Sequence, residues 1–536
     1  MAADQVEVEG PDLSLGIRLS DIPDKGMIGG HVNGKTILLA RRGKKIYAIG
    51  GLCSHYSAPL ADGLMVGKTV RCPWHHACFD LRTGEATCAP ALSPVSVWEV
   101  ERDGERVKVT REIPPATLLP RSRKALPLVS PPNTIVIVGA GAAGNAAAEM
   151  LRREGFEGAV TMIGAEDSVP YDRPNLSKEY LAGTAPEEWI PLRPPEFYAE
   201  HRIELLSNVR VLSIDTSART VALSDGPPRQ FDRLLLATGA EPVKPAIPGA
   251  ELSHVHYLRT LADSRAIINA SGDARKIVII GASFIGLEVA ASLRARGLQV
   301  DVAGPEHTPL ERVLGRDLGT LVKTTHEKHG VTFHPGRGVA GITRESVRLD
   351  NGASLPADVV VVGVGVRPLT KLAIDAGLDM SRGVAVDQYL ETSVAGIFAA
   401  GDIARYPDAR FGADLRVEHW VHAERQGQIA AKNMLGRARS FSYVPFFWSN
   451  HYDLSIQYVG HAERWDDVKV VGDIGAGDCA VAYLADDKIL AVATVGRERT
   501  SIEAEVALED ADWKKLTAMF DRGEEVEEDS EESAAV

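Results

Sequence analysis

The 536-residue chain has only five cysteines, and four of them fall between positions 53 and 88. A set so small, odd and clustered argues against a secreted disulfide framework. No uninterrupted apolar run is long enough to cross a bilayer. The polar, acidic residues 1–10 have neither the basic start nor the apolar core of a secretory signal. Positive charge is also short. The 59 Lys and Arg face 73 Asp and Glu, and the net charge of -14 argues against nucleic acid as a general partner. No signature of siroheme or mononuclear iron is present. What remains is an ordinary globular composition at a length that suggests three or four domains, expected in the reducing cytoplasm.

Against that background the run from position 53 to 75 stands out. Cys53 and His55 form a Cys-x-His pair, and Cys72 and His75 a Cys-x-x-His pair sixteen residues later. Two thiolates for one iron and two imidazoles for the other is the ligand set of a Rieske [2Fe-2S] cluster. Structural zinc uses the same residue types, but its modules usually pair Cys with Cys and His with His. The mixed pairs here favour iron–sulfur. Cys78 and Cys88 are left over. A disulfide, an extra ligand and buried thiols are all open, and inert buried thiols are expected. Cys479 carries no signal.

The chain divides by composition. Residues 16–112 show short strand signals at 36–40, 45–49, 95–100 and 106–110, with turns at Asn33-Gly34 and Asp103-Gly104. Residues 113–132 hold six prolines and a basic cluster, which suits a semi-rigid linker. An apolar strand, a glycine turn and a helix then begin at Thr134, and the same grammar returns 142 residues later. Two parallel-sheet dinucleotide domains follow from that repeat. After position 446 short strands return at 454–459, 468–471 and 489–494, with one helix expected over 503–520. Residues 521–536 are strongly acidic and read as a disordered tail.

In the first unit Gly139, Gly141 and Gly144 form an unbroken G-x-G-x-x-G. The first permits the turn, the second admits a pyrophosphate, and the third lets helix and strand pack. Glu166, twenty-two residues past Gly144, is placed to accept ribose hydroxyls. In the second unit Ser283 replaces the middle glycine of Gly281-x-x-x-x-Gly286, which puts a Cβ near the phosphates. The strand that should end in a ribose-selecting acid ends at Gly304, with Glu306 two residues on. The lack of a basic cluster there favours NADH over NADPH. Gly363 and Gly365 match the second turn against that nucleotide.

Several segments carry a closer resemblance. The two Cys/His boxes resemble those of Rieske ferredoxin domains, with Ala58 and Trp74 where the respiratory type has a disulfide pair, and His76 where many carry Gly. The bland expectation for His76 is a half-exposed neighbour of the cluster, and the alternatives are that it tunes the cluster or lies at a docking surface. The runs L-L-L-A-T-G-A-E-P (234–242) and I-F-A-A-G-D-I-A (397–404) resemble boxes of two-dinucleotide-domain flavoprotein reductases, and Y-D-R-P-N-L-S-K (171–178) and G-A-S-F-I-G-L-E (281–288) resemble the apoptosis-inducing factor family and oxygenase-type ferredoxin reductases. The resemblance implies FAD held by Arg173, Lys178 and Asp402, and a Lys178–Glu288 pair at the flavin–nicotinamide contact. The runs R-V-E-H-W-V-H-A (416–423) and P-F-F-W-S-N (445–450) resemble segments that cover the flavin. They imply Glu418, His419, Trp420 and Trp448 there, with Trp448 beside the ring. The implied cofactor set also takes in Ala143, Asp167, Val211, Arg259, Phe284 and Ile285. Related disulfide reductases place a redox Cys pair near Lys178, and this chain has none.

The expected fold is multidomain: an all-β Rieske domain (1–112), a linker (113–132), an α/β FAD domain in two parts (133–255 and 376–440) around an α/β NAD domain (256–375), an α+β C-terminal domain (441–520) and a tail (521–536). Lys178, Glu288 and Trp448 are the expected catalytic residues. The expected function is transfer of electrons from NADH through FAD to the cluster, which accepts them one at a time through His55 and His75, the imidazoles of its exposed edge, and passes them to an external one-electron acceptor such as an oxygenase or a cytochrome, from a monomer or homodimer. The alternatives are a terminal reductase, and a redox sensor in which NADH binding matters more than turnover.

Overall fold

The computed structural model describes residues 10–113 and 132–521. Nearly all of the expected linker and tail lie outside these residues.

The first domain is all β. A six-stranded antiparallel sheet carries the strands 35–42, 45–50, 97–103 and 106–113, and a four-stranded sheet (64–88) carries the second ligand pair at the end of its strand Thr69–Arg71. Both Gly-containing turns sit where expected. Asn33, Gly34 and Gly104 have positive φ, as tight hairpins demand.

The chain then winds into a parallel sheet. Its central strand β1 (Thr134–Val138) is followed by helix α1 (Ala142–Arg153). All of β1 beyond Thr134 is buried, as a strand covered on both faces must be. The sheet takes its last strand, Ile397–Ala399, from far along the chain, so this layer is built from two separated segments. Between them a second parallel sheet centres on β2 (Lys276–Ile280), followed by α2 (Phe284–Ala295) and α3 (Glu311–Lys328). Helix α4 (Trp420–Met434) returns to lie on α1, where a Cβ at Gly427 would stand 2.1 Å from Ala143 O.

The C-terminal sheet is antiparallel and starts with β3 (Phe446–His451). The single helix expected over 503–520 is two: α5 (Glu498–Glu509) and α6 (Trp513–Asp521). Ala511 takes a positive φ that breaks the helix, and Asp512 restarts it by accepting from Lys515 N at 3.0 Å. No helix among the described residues is long and apolar enough to cross a membrane.

Candidate functional site

The four metal-ligand candidates come together as two pairs. Cys53 and Cys72 are both buried, with their thiols close enough to perturb each other. His55 and His75 present Nδ1 to Nδ1 at 3.1 Å. Burial pushes His55 down to about 3 and His75 well below the usual range, so both imidazoles are neutral and available as ligands. Among the described residues no three His, Cys, Asp or Glu side chains converge on one point as a single-ion site. Paired thiols beside paired imidazoles meet the demand of a two-iron cluster and not that of a tetrahedral zinc.

Cys78 and Cys88 are not free thiols. They sit opposite each other on adjacent strands and form a disulfide, a pairing that sequence spacing left open because register decides it. The imidazole edge through which the cluster is expected to accept electrons is covered rather than exposed at His75. His75 is 6% exposed, and its ring lies 4.1 Å from the Trp448 ring, centroid to centroid. The edge faces the reductase, whereas Trp74 beside it points to solvent.

His76 is likewise not half-exposed. It is fully buried at a positive φ, stacks on Phe446 at 4.0 Å and meets Glu505 at 3.0 Å. Glu505, on α5, also pairs with Arg71 and with Arg425 of α4, each at 2.7 Å. Burial would raise the Glu505 carboxyl, but Arg425, His76 and Arg71 hold it well below the usual range. Gln457 donates to the carbonyls of Pro73 and Trp74 at 2.9 Å, and Tyr56 donates to Asp172. The docking of the cluster domain is therefore built from both ends of the chain, which no local motif announces.

The first glycine turn is shaped for a pyrophosphate. A Cβ at Gly139 would fall 2.1 Å from Ala237 O and one at Gly144 1.9 Å from Gly139 O, whereas Gly141 opens on empty space. No side chain caps α1 there, so its first N–H groups are free for an anion. Ala143 lies in the same turn of helix. Glu166 pairs with Arg173 at 3.0 Å and accepts from Tyr171, with exposed Asp167 next to it. Asp402 pairs with Arg259 at 2.7 Å, and Arg173 donates to Arg259 O. This arrangement fits FAD. Val211 starts a strand in a small antiparallel sheet at the side of the domain.

In the second unit the Ser283 side chain is turned away from the phosphate position. Its hydroxyl donates to Gly363 O at 2.7 Å and accepts from Gly286 N at 3.2 Å, capping α2 and tying it to the second turn. Phe284 and Ile285 open the helix, Phe284 packing edge-on to Phe447 and Ile285 exposed. Gly365 has open space around it. Glu306 reaches back over Gly304, where a Cβ would lie 3.4 Å from its carboxylate. The backbone of Arg337 bonds Gly304 O at 2.8 Å, so a basic residue stands near this turn that sequence order hides.

Lys178 and Glu288 pair at 2.8 Å. Glu288 also accepts from Ser177 at 2.5 Å and from Ser449 at 2.6 Å. Ser449 follows Trp448 on β3, so the residue against the cluster and a residue bonded to Glu288 are neighbours on one strand. His419 packs at a tilt against Phe447, 4.6 Å between ring centroids, and burial drives it down to about 3. Glu418 is exposed and pairs with Arg416, while Trp420 opens α4 half-buried.

A chain with two dinucleotide turns, a Cys/His cluster site and a capping C-terminal sheet defines a pyridine-nucleotide flavoprotein with an attached iron–sulfur module. The comparisons agree. Residues 133–427 match the family Pyridine nucleotide-disulphide oxidoreductase, residues 16–99 the Rieske [2Fe-2S] domain and residues 446–527 the Reductase C-terminal family. The chain belongs to the pyridine nucleotide-disulphide oxidoreductase family and carries a Rieske domain in front of it. It is 35% identical over 477 residues to human "Apoptosis-inducing factor 3", across 86% of this chain and 78% of that protein. It is 37% identical over 376 residues to "Rhodocoxin reductase" of Rhodococcus erythropolis, across 69% and 88%. Among solved structures it resembles the covalent putidaredoxin reductase–putidaredoxin complex, with a TM-score of 0.68 and 33% identity over 70% of this chain and 93% of that one. The protein is an oxidoreductase whose cofactors are FAD, NAD(H) and a [2Fe-2S] cluster. Among the described residues the free cysteines are Cys53, Cys72 and Cys479, so the disulfide chemistry of the family name has no counterpart beside Lys178.

Proposed function

We propose that this chain carries electrons from NADH through FAD to its own Rieske cluster, and from there to an external one-electron acceptor. The observation that supports it most is the short link Glu288–Ser449–Trp448–His75, which joins the Lys178–Glu288 pair to the cluster's imidazole edge. FAD supplies the exchange between a two-electron hydride donor and one-electron acceptors. The protein's part is placement. Gly139, Gly141, Ala143, Gly144, Glu166, Asp167, Arg173, Val211, Arg259 and Asp402 would hold FAD, and Gly281, Ser283, Phe284, Ile285, Gly286, Gly363 and Gly365 the nicotinamide dinucleotide. Glu306, a carboxylate at the end of the second unit, favours NADH. Lys178 and Glu288 neutralise each other where an unpaired buried charge would be costly. Glu418, His419 and Trp420 close the site from the α4 side, and Trp448 shields it from water.

As putidaredoxin is held on its reductase in that covalent complex, the cluster module here is part of the same chain as the reductase and docked on it. The external acceptor therefore meets an edge already covered by Trp448 or waits for the module to undock. Stopped-flow reduction by NADH, followed by visible absorbance and EPR, tests the reading. The cluster signal is expected to appear after flavin bleaching and within turnover. Bleaching with a cluster that never reduces would instead favour the sensor, and metal analysis that finds zinc alone would remove the cluster.

A further inference from the structure

Behind Glu288 a row of buried polar side chains leads away from the cofactor site. Ser449 Oγ lies 2.6 Å from Glu288 Oε1 and 3.1 Å from His451 Nε2, and His451 Nδ1 lies 3.2 Å from His326 Nε2. Glu288, Ser449, His451 and His326 come from α2, β3 and α3, and all four are at most 5% exposed.

The hydrogens can be assigned from the carboxylate outward. Glu288 accepts from Ser177, Lys178 and Ser449. With its hydroxyl hydrogen given to Glu288, Ser449 must accept from His451, so His451 carries its proton on Nε2. His451 Nδ1 is then an acceptor, and His326 must donate from Nε2. That leaves His326 Nδ1 bare, and it has no partner in the structure although it is buried. Every donor in the row thus points toward Glu288, and the far end is an unfilled acceptor. His326 lies 5.2 Å from the Tyr452 ring, on which exposed His329, just past the end of α3, stacks at 3.7 Å.

We propose that Glu288, Ser449, His451 and His326 form a proton relay between the cofactor site and the surface near His329. This rests on the redox reading above. Oxidation of NADH by two one-electron equivalents leaves one proton per NADH, since NADH gives NAD⁺, H⁺ and two electrons. The assigned polarity takes a proton inward: His326 Nδ1 accepts one from the surface side, His326 Nε2–H passes to His451 Nδ1, His451 Nε2–H to Ser449 Oγ, and the Ser449 hydroxyl proton to Glu288. Glu288 is then protonated and every donor points outward, so the same hops run backward release a proton from His326 Nδ1 and restore the first polarity. Each hop breaks one N–H or O–H bond and forms the next, and no electron moves along the row.

The surroundings suit this role. Burial holds His326 and His451 down to about 3, so both are neutral and each can donate at one nitrogen while accepting at the other. The titratable groups facing the row from outside it are Lys178 toward His451, His329 toward His326, and Arg294 beside Tyr452.

Two measurements on the full-length holoenzyme test the relay. The first needs no turnover. In the resting protein, ¹⁵N spectra of labelled histidine should show both His326 and His451 as the Nε2–H tautomer. In Glu288→Gln, whose amide turns its NH2 to Ser449 and keeps its oxygen for Lys178, both should switch to Nδ1–H. An Nδ1 proton on His326 in the resting protein, or no switch in the variant, would overturn the relay. The second follows proton release with a pH dye while NADH reduces ferricyanide. His326→Gln, which keeps a hydrogen bond but cannot relay, and His326→Phe, which keeps the packing, should both slow release by about a hundredfold, the lower range of acid–base transfer. Unchanged release and an unchanged D2O effect in both variants would sink the relay while leaving the redox reading intact. A wild-type holoenzyme that reduces no ferricyanide would remove the redox reading, with the tautomer result still deciding the hydrogen-bonded row.

Discussion

The Rieske domain meets the reductase through two patches of opposite character. One is ionic and dry: Arg71, His76 and Arg425 surround Glu505, with Glu509 alongside. The other is aromatic: His75 and His55 face Trp448, with Tyr56 donating to Asp172 at its margin. The difference teaches a division of labour. Buried charges need fixed, complementary partners, so the ionic patch sets position. The aromatic patch lies next to Ser449, which bonds Glu288, and is where the proposed electron path crosses the interface.

Glu505→Ala should be the most damaging change. It strands three buried cationic or imidazole groups and is expected to cost about 3–5 kcal/mol, read by urea unfolding, together with slower reduction of the cluster. A variant as stable as the wild type would refute the clamp.

At the aromatic margin, burial raises Asp172 from 3.8 to about 6, partly offset by Tyr56 and Lys178, while Glu179 adds to the rise and Glu424 lies nearby. Between those values the native state holds a proton that the unfolded chain has released. The Asp172 contribution to stability should therefore be lost as pH rises through that window, by about 3 kcal/mol. The buried neutral histidines make stability rise over the same range in any variant, so the test is the difference: urea midpoints from pH 4 to 7 should show wild type losing about 3 kcal/mol relative to Asp172→Asn. Parallel profiles would contradict the burial.

Arg71→Ala leaves Arg425 on Glu505 and should cost only about 2 kcal/mol, the range of a charged hydrogen bond. Trp448→Phe separates the two patches most cleanly. Stability should change by about 1 kcal/mol, yet stopped-flow should show electrons reaching the cluster more slowly. Equal rates would mean that the aromatic patch only packs. The smallest effect is expected from Lys35→Ala, whose partner Glu112 lies on the exposed outer sheet. Within about 0.5 kcal/mol of wild type in the same assay, it would set the scale against which the buried clamp is judged.

Motifs that are local in sequence were legible before any coordinates. The two glycine turns, the Cys/His spacing and most strands of the outer domains depend on residues within a few positions of each other. So do the hairpins at Asn33-Gly34 and Asp103-Gly104. Misreadings came where a distant element decides. His76 looked like a half-exposed neighbour of a ligand because nothing near it in sequence shows Glu505 arriving from α5, more than four hundred residues away. Cys78 and Cys88 became a disulfide because strand register set them opposite each other. Ser283 looked like an intrusion on the phosphates until its hydroxyl was seen tied to Gly363. The helix over 503–520 broke on one backbone angle at Ala511.

The sequence alone determined which cofactors this protein can hold, because glycine turns and paired Cys/His ligands need specific residues at short, fixed spacings. Tertiary structure decided how those cofactor sites are connected. The imidazole edge turned inward onto Trp448, the clamp on Glu505 and the polar row from Glu288 to His326 each join segments far apart in the chain. Their existence follows from packing, where buried charges and hydrogen-bonding groups had to find partners.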